Sequence, residues 1–142
     1  MASISKNISV MQQVRRINRE LLTVASKCEG PIGDTLFTQA ALVAAEQRSL
    51  APVGDDENSG ALRASIRVEK GTPTPKKAIV VKIMAGGPTT RKANYDYARA
   101  VEFGTQEVKA QPFFYPIWRA RRKEVRAAVK KAIKSAVKQV FK

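Results

Sequence analysis

The stretch from Pro116 to Phe141 constrains this chain more than any other. Trp118, Val125, Val129, Ile133, Ala136 and Val140 recur on a helical period. Pro116 suits a first helical turn, where its missing N–H is not needed. A long amphipathic helix over 116–141 is therefore expected to close the chain. Its other face is basic, with Arg122, Arg126, Lys130, Lys134, Lys138 and Lys142 at four-residue intervals and Arg119, Lys123 and Lys131 beside them. Like charges at that spacing repel by about 0.2–0.5 kcal/mol per pair. Only Glu124 lies close enough in sequence to relieve them. Such a helix is held by tertiary packing, or faces an anion, or both.

The charge asymmetry extends beyond this helix. Of 26 Lys and Arg residues and 12 acids, residues 1–60 hold six and seven, and residues 61–142 hold the other twenty and five. So uneven a balance points to a polyanion or an acidic protein surface as partner. The alternative is a soluble protein with one basic exposed face. With 142 residues, 44% of them hydrophobic, the chain reads as a single domain, 1–142, with room for a core without a metal or disulfide staple. The one cysteine, Cys28, sits on an apolar helical face and reads as a small buried hydrophobe in a reducing compartment. No apolar run approaches the ~20 residues of a membrane span, and the N-terminus lacks the apolar core of a secretory signal.

Upstream, Val10, Val14, Ile17, Leu21, Val24 and Cys28 are spaced by threes and fours, which predicts an amphipathic helix from Ile8 to Cys28. Gly30, Pro31 and Gly33 in "EGPIGD" predict a break, with Asp34 capping a second helix over Thr35–Arg48. Residues 53–60, "VGDDENSG", read as a polar loop. Leu62, Ala64, Ile66 and Val68 then alternate with polar residues, predicting a strand that a short helical turn can precede. "GTPTPKK" reads as a turn, "AIVVKIMA" as a second strand and "GGPTTRKANYD" as a longer loop. For "YARAVEF", strand and short helix both remain open. The expected class is α+β: N-terminal helices, a small antiparallel sheet of about three strands, and the long C-terminal helix packed on it.

The usual signs of catalysis are missing. Without histidine the commonest general base and metal ligand are gone, and one cysteine cannot build a thiolate cage. "GGPTTRK" lacks Walker spacing, and "GDDEN" lacks the alternating ligands and closing glutamate of a calcium loop, so it reads as a solvated acidic turn. Glu102 has no sequence-visible partner for proton transfer. A protein that is not an enzyme and needs no cofactor is the expectation.

Two segments carry a resemblance. "LAPVGDDENSGALRASI", residues 50–66, is similar to a signature Ala-Pro-Val-Asp-Thr-Gly-x-Leu-Arg-x-Ser-Ile, with a longer loop in the middle. "YARAVEFGTQEVKAQPFFYPIW", residues 97–118, resembles the companion signature Tyr-Ala-x-x-Val-Glu-Phe-Gly-Thr, followed by Gln-Pro-Phe and a closing helix. Both belong to the head-tail joining, or tail-completion, proteins of tailed bacteriophages, exemplified by gene product ten of a lambdoid siphophage. The matching positions are Pro52, Gly60, Leu62, Arg63, Ser65, Ile66, Tyr97, Ala98, Val101, Glu102, Phe103, Gly104, Thr105, Pro112 and Phe113. In the family these look like fold-defining and assembly positions.

The resemblance implies a virion neck protein, made in the host bacterial cytoplasm. It implies a ring, of about six copies, between the portal or connector and the tail tube or tail terminator. The basic face, Arg119 to Lys138, would border packaged DNA or meet an acidic neighbour, with no membrane involved. The rival reading is a small basic DNA-binding protein working outside the virion. Physically, Gly60 and Gly104 suit positive φ, Glu102 suits an acceptor for backbone N–H or Arg63, and Phe103 and Phe113 are expected to fill core between sheet and closing helix.

Overall fold

The computed structural model describes residues 2–54, 59–72 and 79–142, with side chains from Ile8 onward. The acidic turn at 55–58 and the turn and strand start at 73–78 lie outside the described residues. The chain is α+β. Helix α1 spans Ala2–Leu50 and α2 Ala61–Ser65. Strands β1, Arg67–Lys70, and β2, Val81–Met84, form one antiparallel pair. Strands β3, Arg91–Lys92, and β4, Tyr95–Asp96, form another. Helices α3, Tyr97–Phe103, and α4, Tyr115–Val140, complete the order.

The predicted break at residues 29–34 does not occur: Asp34 lies inside α1, and Pro31 is accommodated in mid-helix. An interior proline removes one backbone hydrogen bond and costs about 3 kcal/mol. Here Gly30, Pro31 and Lys27 are on the exposed side, so water can satisfy the carbonyl that loses its partner. The opposite side is held: Cys28, Ala40, Val43, Ala44 and Gln47 are buried. Packing against α4 outweighs the local signal.

The α1–α4 contact is the largest between elements. Arg121 Nε donates to Glu46 at 2.9 Å, and Gln47 Nε2 donates to the Phe114 carbonyl at 2.9 Å. The start of α4 thus lies beside the end of α1, and α4 can only run back along it. The closing helix packs chiefly on α1, where the sheet had been expected, and α1 in turn lies against β1 and β2. Among the described residues no helix is long and apolar enough to cross a membrane.

In place of one three-stranded sheet there are two sheets of two strands. Val68 pairs with Ile83 and Glu69 with Lys82 in the first. The supposed loop at 86–96 contains the second, with Arg91 opposite Asp96. Leu62 to Ser65, read as the start of a strand, are the α2 turn. Segment 97–103 is helical. Asp96 caps it by accepting from Ala98 N–H at 3.0 Å, which satisfies a donor that a strand edge would have left exposed. The core is modest: Ala44, Ala51, Leu62, Ile66, Ala98 and Phe113, with Val68, Ile83, Tyr97 and Val101 packed around them.

Candidate assembly site

The two segments that carry the resemblance meet at one corner. Leu62 and Ile66 share the core cluster with Ala98 and Phe113. Pro52, Gly60 and Leu62 of the first segment and Tyr97 and Val101 of the second line the same cleft, of about 370 Å³. Arg63 does not reach Glu102. Its Nε donates to the Ala51 carbonyl at 2.9 Å and ties α2 to the end of α1. Arg48 does the reciprocal job, donating to the Ile66 carbonyl at 3.0 and 2.6 Å. Ser65 Oγ donates to the Leu62 carbonyl at 2.7 Å and accepts from Gly86 N–H at 3.0 Å.

Glu102 organises the corner. It is buried, and its carboxylate accepts three backbone N–H groups: Phe113 at 2.8 Å, Phe114 at 3.0 Å and Tyr115 at 3.0 Å. These belong to the segment entering α4. Phe114, at the cap position of that helix, makes no side-chain capping bond of its own. The first N–H groups of any helix lack intrahelical acceptors, and a negative charge there also meets the positive end of the helix dipole. Glu102 therefore caps α4 from outside, using a residue of α3. With both oxygens engaged, it acts as a structural acceptor.

Gly104 makes the turn after Glu102 possible. It has φ 76° and ψ 171°, and a Cβ there would lie 2.9 Å from Ala110 N and 3.0 Å from the Val108 carbonyl oxygen. Only glycine enters that region readily. Thr105 N–H then donates to the Val108 carbonyl at 2.9 Å, and Gln111 N–H to Val101 at 2.7 Å, turning the chain back to deliver Phe113. Gly60 likewise has φ 89° before α2. Phe113 is buried in the core, but Phe103 is not: it is 62% exposed, and its ring lies against Tyr115 at 5.8 Å. The expectation that both phenylalanines fill core is corrected for Phe103: α3 turns Ala98 and Glu102 inward and leaves Phe103, in its last turn, exposed. Pro112 is exposed and Tyr97 half-buried, with Lys92 Nζ 5.7 Å from the Tyr97 ring centre.

Arg119, Arg122, Arg126, Lys130, Lys134 and Lys138 are all exposed. At about 3.6 residues per turn, however, the four-residue row winds around α4, from Arg122 on the same side as Val140 to Lys134 and Lys138 on the far side. Trp118 and Ile133 of the expected apolar stripe are exposed as well. Arg121 stands apart from this row. Its hydrogen bond to Glu46, and then the charge of Glu124, raise its pKa above the ordinary arginine value. Since that ion pair is partly exposed, it orients the two helices more than it stabilises them. Among the described residues no cluster of three His, Cys, Asp or Glu could hold a metal ion.

Two contributors were missed in the sequence. Asp96 accepts from Thr90 Oγ1 at 2.7 Å and Gly87 N–H at 3.0 Å besides capping α3; an Asp directly before a helix was the available signal. Gln47 had no signal. It is fully buried and borders an apolar cleft of about 360 Å³ with Val43, Ile83, Trp118 and Val125, and its Oε1 has no partner among the described residues. An unsatisfied buried acceptor costs about 1–3 kcal/mol, while a neutral hydrogen bond contributes about 1 kcal/mol. Gln47→Met is thus expected to leave stability unchanged or raise it slightly, and Gln47→Ala to lower it by about 2 kcal/mol through the cavity it leaves. Urea unfolding of the pair checks this; a loss above about 1 kcal/mol for Gln47→Met would mean that Oε1 has a partner after all.

Comparison with models of protein families, with curated proteins and with solved structures finds no match to this chain.

Proposed function

We propose that this chain is a structural subunit of the neck of a tailed-bacteriophage virion. It forms a ring, of about six copies, that joins the portal or connector of the DNA-filled head to the tail, or completes the tail end. One observation carries the reading: the two segments that resemble the head-tail joining signatures, far apart in sequence, converge on one corner, where Glu102 of the second seats the start of α4. Shared motifs that build one structural unit are better support than motifs scattered over the surface. The work is binding and geometry, with no bond made or broken: the ring completes an end, offers a docking surface and leaves DNA a passage. The basic face of α4 borders that DNA or meets an acidic neighbouring ring.

The test is to mix the purified chain with connector-bearing heads and with tail tubes of a siphophage, and to image the particles by electron microscopy. A ring of defined stoichiometry at one of those ends is the expected result. Reversing charge at Arg126, Lys130 and Lys134 together is expected to weaken joining by about tenfold or more, most strongly at low salt. The same basic face favours the second reading, a DNA-binding protein outside the virion. A chain that ignores heads and tails but binds duplex DNA, with affinity falling steeply as salt rises, would overturn the first reading in favour of that one.

A further inference from the structure

Helix α1 is longer than the body that supports it. Since α4 runs back from Glu46 with the same rise per residue, its end at Val140 reaches α1 near Lys27. Exposure changes at that point: Cys28 is 5% exposed, whereas Leu21 is 58% exposed, and Val10, Val14 and Ile17 are similarly uncovered. Residues 8–27 therefore form an arm about 30 Å long. A helical face this apolar is uncommon on a monomer's surface without a partner.

The spacing along the arm says what kind of partner. Val10, Val14, Ile17, Leu21, Val24 and Cys28 follow a strict 4-3-4-3-4 order, a heptad seam with Val14, Leu21 and Cys28 at a and Val10, Ile17 and Val24 at d. A helix lying on a sheet or a broad core shows a wider stripe of period 3.6. A repeat of 3.5 is what supercoiled helices share with one another. The seam also runs into the buried α1 face at Cys28, so the arm continues an interface that the fold already uses with α4.

The charges identify the partner as a copy of this chain. Arg15, Arg16 and Arg19 fall at b, c and f, on the far side of the helix, and Arg16 is paired with Glu20 at 3.0 Å. Beside the seam stand Met11, Asn18 and Ala25 on one flank and Gln13, Glu20 and Lys27 on the other. Two such arms meet without bringing their arginines together, although the chain as a whole is strongly basic. An acidic partner helix would find no row of cations along this seam.

We infer that the arm of α1 is a self-association element, packing against the arms of other copies as a left-handed coiled coil. The a positions are mixed, Val14, Leu21 and Cys28, with Val10, Ile17 and Val24 at d, a pattern that does not select two strands over three or four. The inference rests on the proposed ring only in taking the subunits to associate with their own kind.

The experiment is sedimentation velocity on the full chain across a hundredfold concentration range, for wild type, Leu21→Glu and Arg16→Glu. Position 21 lies outside the folded body, so Leu21→Glu leaves the body's melting transition in place, and circular dichroism checks that it does. The expected result is a wild-type species larger than a monomer: a dimer or higher. Leu21→Glu should weaken it by about 100-fold or more, and Arg16→Glu should leave it within about threefold of wild type. A wild type that stays monomeric, an assembly indifferent to Leu21→Glu, or an equal loss in Arg16→Glu would overturn the inference. A seam-dependent assembly that binds neither heads nor tails would uphold the arm and sink the neck reading. Ring formation at a particle end that survives Leu21→Glu would do the reverse.

Discussion

Glu102→Ala is expected to lower the stability of this protein by about 4 kcal/mol, one of the two largest effects expected of any single substitution. The carboxylate accepts from the N–H groups of Phe113, Phe114 and Tyr115, and nothing at Phe114 replaces it. Hydrogen bonds to an ionised group contribute about 1.5–3 kcal/mol each, and three bonds to one carboxylate do not add fully. Alanine also leaves the buried Phe113 N–H without a partner and removes negative charge from the start of a 26-residue helix. Glu102→Gln is expected to lose about half as much, since one oxygen remains while the amide NH₂ faces another N–H. Chemical denaturation checks both. A loss under about 1 kcal/mol for the alanine variant would mean that α4 is seated by its apolar face alone.

Phe113→Ala is expected to lower stability by about 3–5 kcal/mol, the usual range for truncating a fully buried ring. Phe113 is one of the largest fully buried side chains and belongs to the cluster with Ala44, Leu62 and Ile66. Three of its core neighbours are alanines, Ala44, Ala51 and Ala98, which have little side chain with which to fill the void. Phe103→Ala, ten residues earlier and just as prominent in the sequence, is expected to lose less than about 1 kcal/mol, because only the tilted contact with Tyr115 goes with it. Thermal melts of the two variants form an internal control. Similar losses would mean that Phe103 is covered, in the folded protein in solution, by something beyond the single chain.

How much of this could be read from residues alone follows from how far each signal reaches. The closing helix was legible, with Pro116 in its first turn, but its apolar stripe was only partly so: Ala136 is buried and Val125, Val129 and Val140 half-buried, while Trp118 and Ile133 are exposed. The positive φ of Gly60 and Gly104 was legible as well, because a turn's demand on its own residue is local. Asp96 before α3 carried a capping signal that went unused. Pro31 misled in the other direction. Its local preference against a helix interior is genuine, and the buried face of α1 outweighs it. Segment 97–103 could not be resolved between strand and helix from its pattern, and the cap from Asp96 decided for helix.

Residues whose partners are distant in sequence were the least legible. Glu102 was readable as an acceptor, but not as the cap of a helix that begins thirteen residues later. Gln47 reaches the Phe114 carbonyl across 67 positions, and nothing in its neighbourhood announces this. The sequence by itself determined the α+β class, the amphipathic character of both long helices and the glycine turns, because periodicity, φ preference and capping act within a few residues of the chain. Only the tertiary structure decided that α1 passes through Pro31, that Phe113 is buried while Phe103 is not, and that the apolar stripe of α1 loses its cover beyond Cys28. Those outcomes depend on which surface the fold brings against each face.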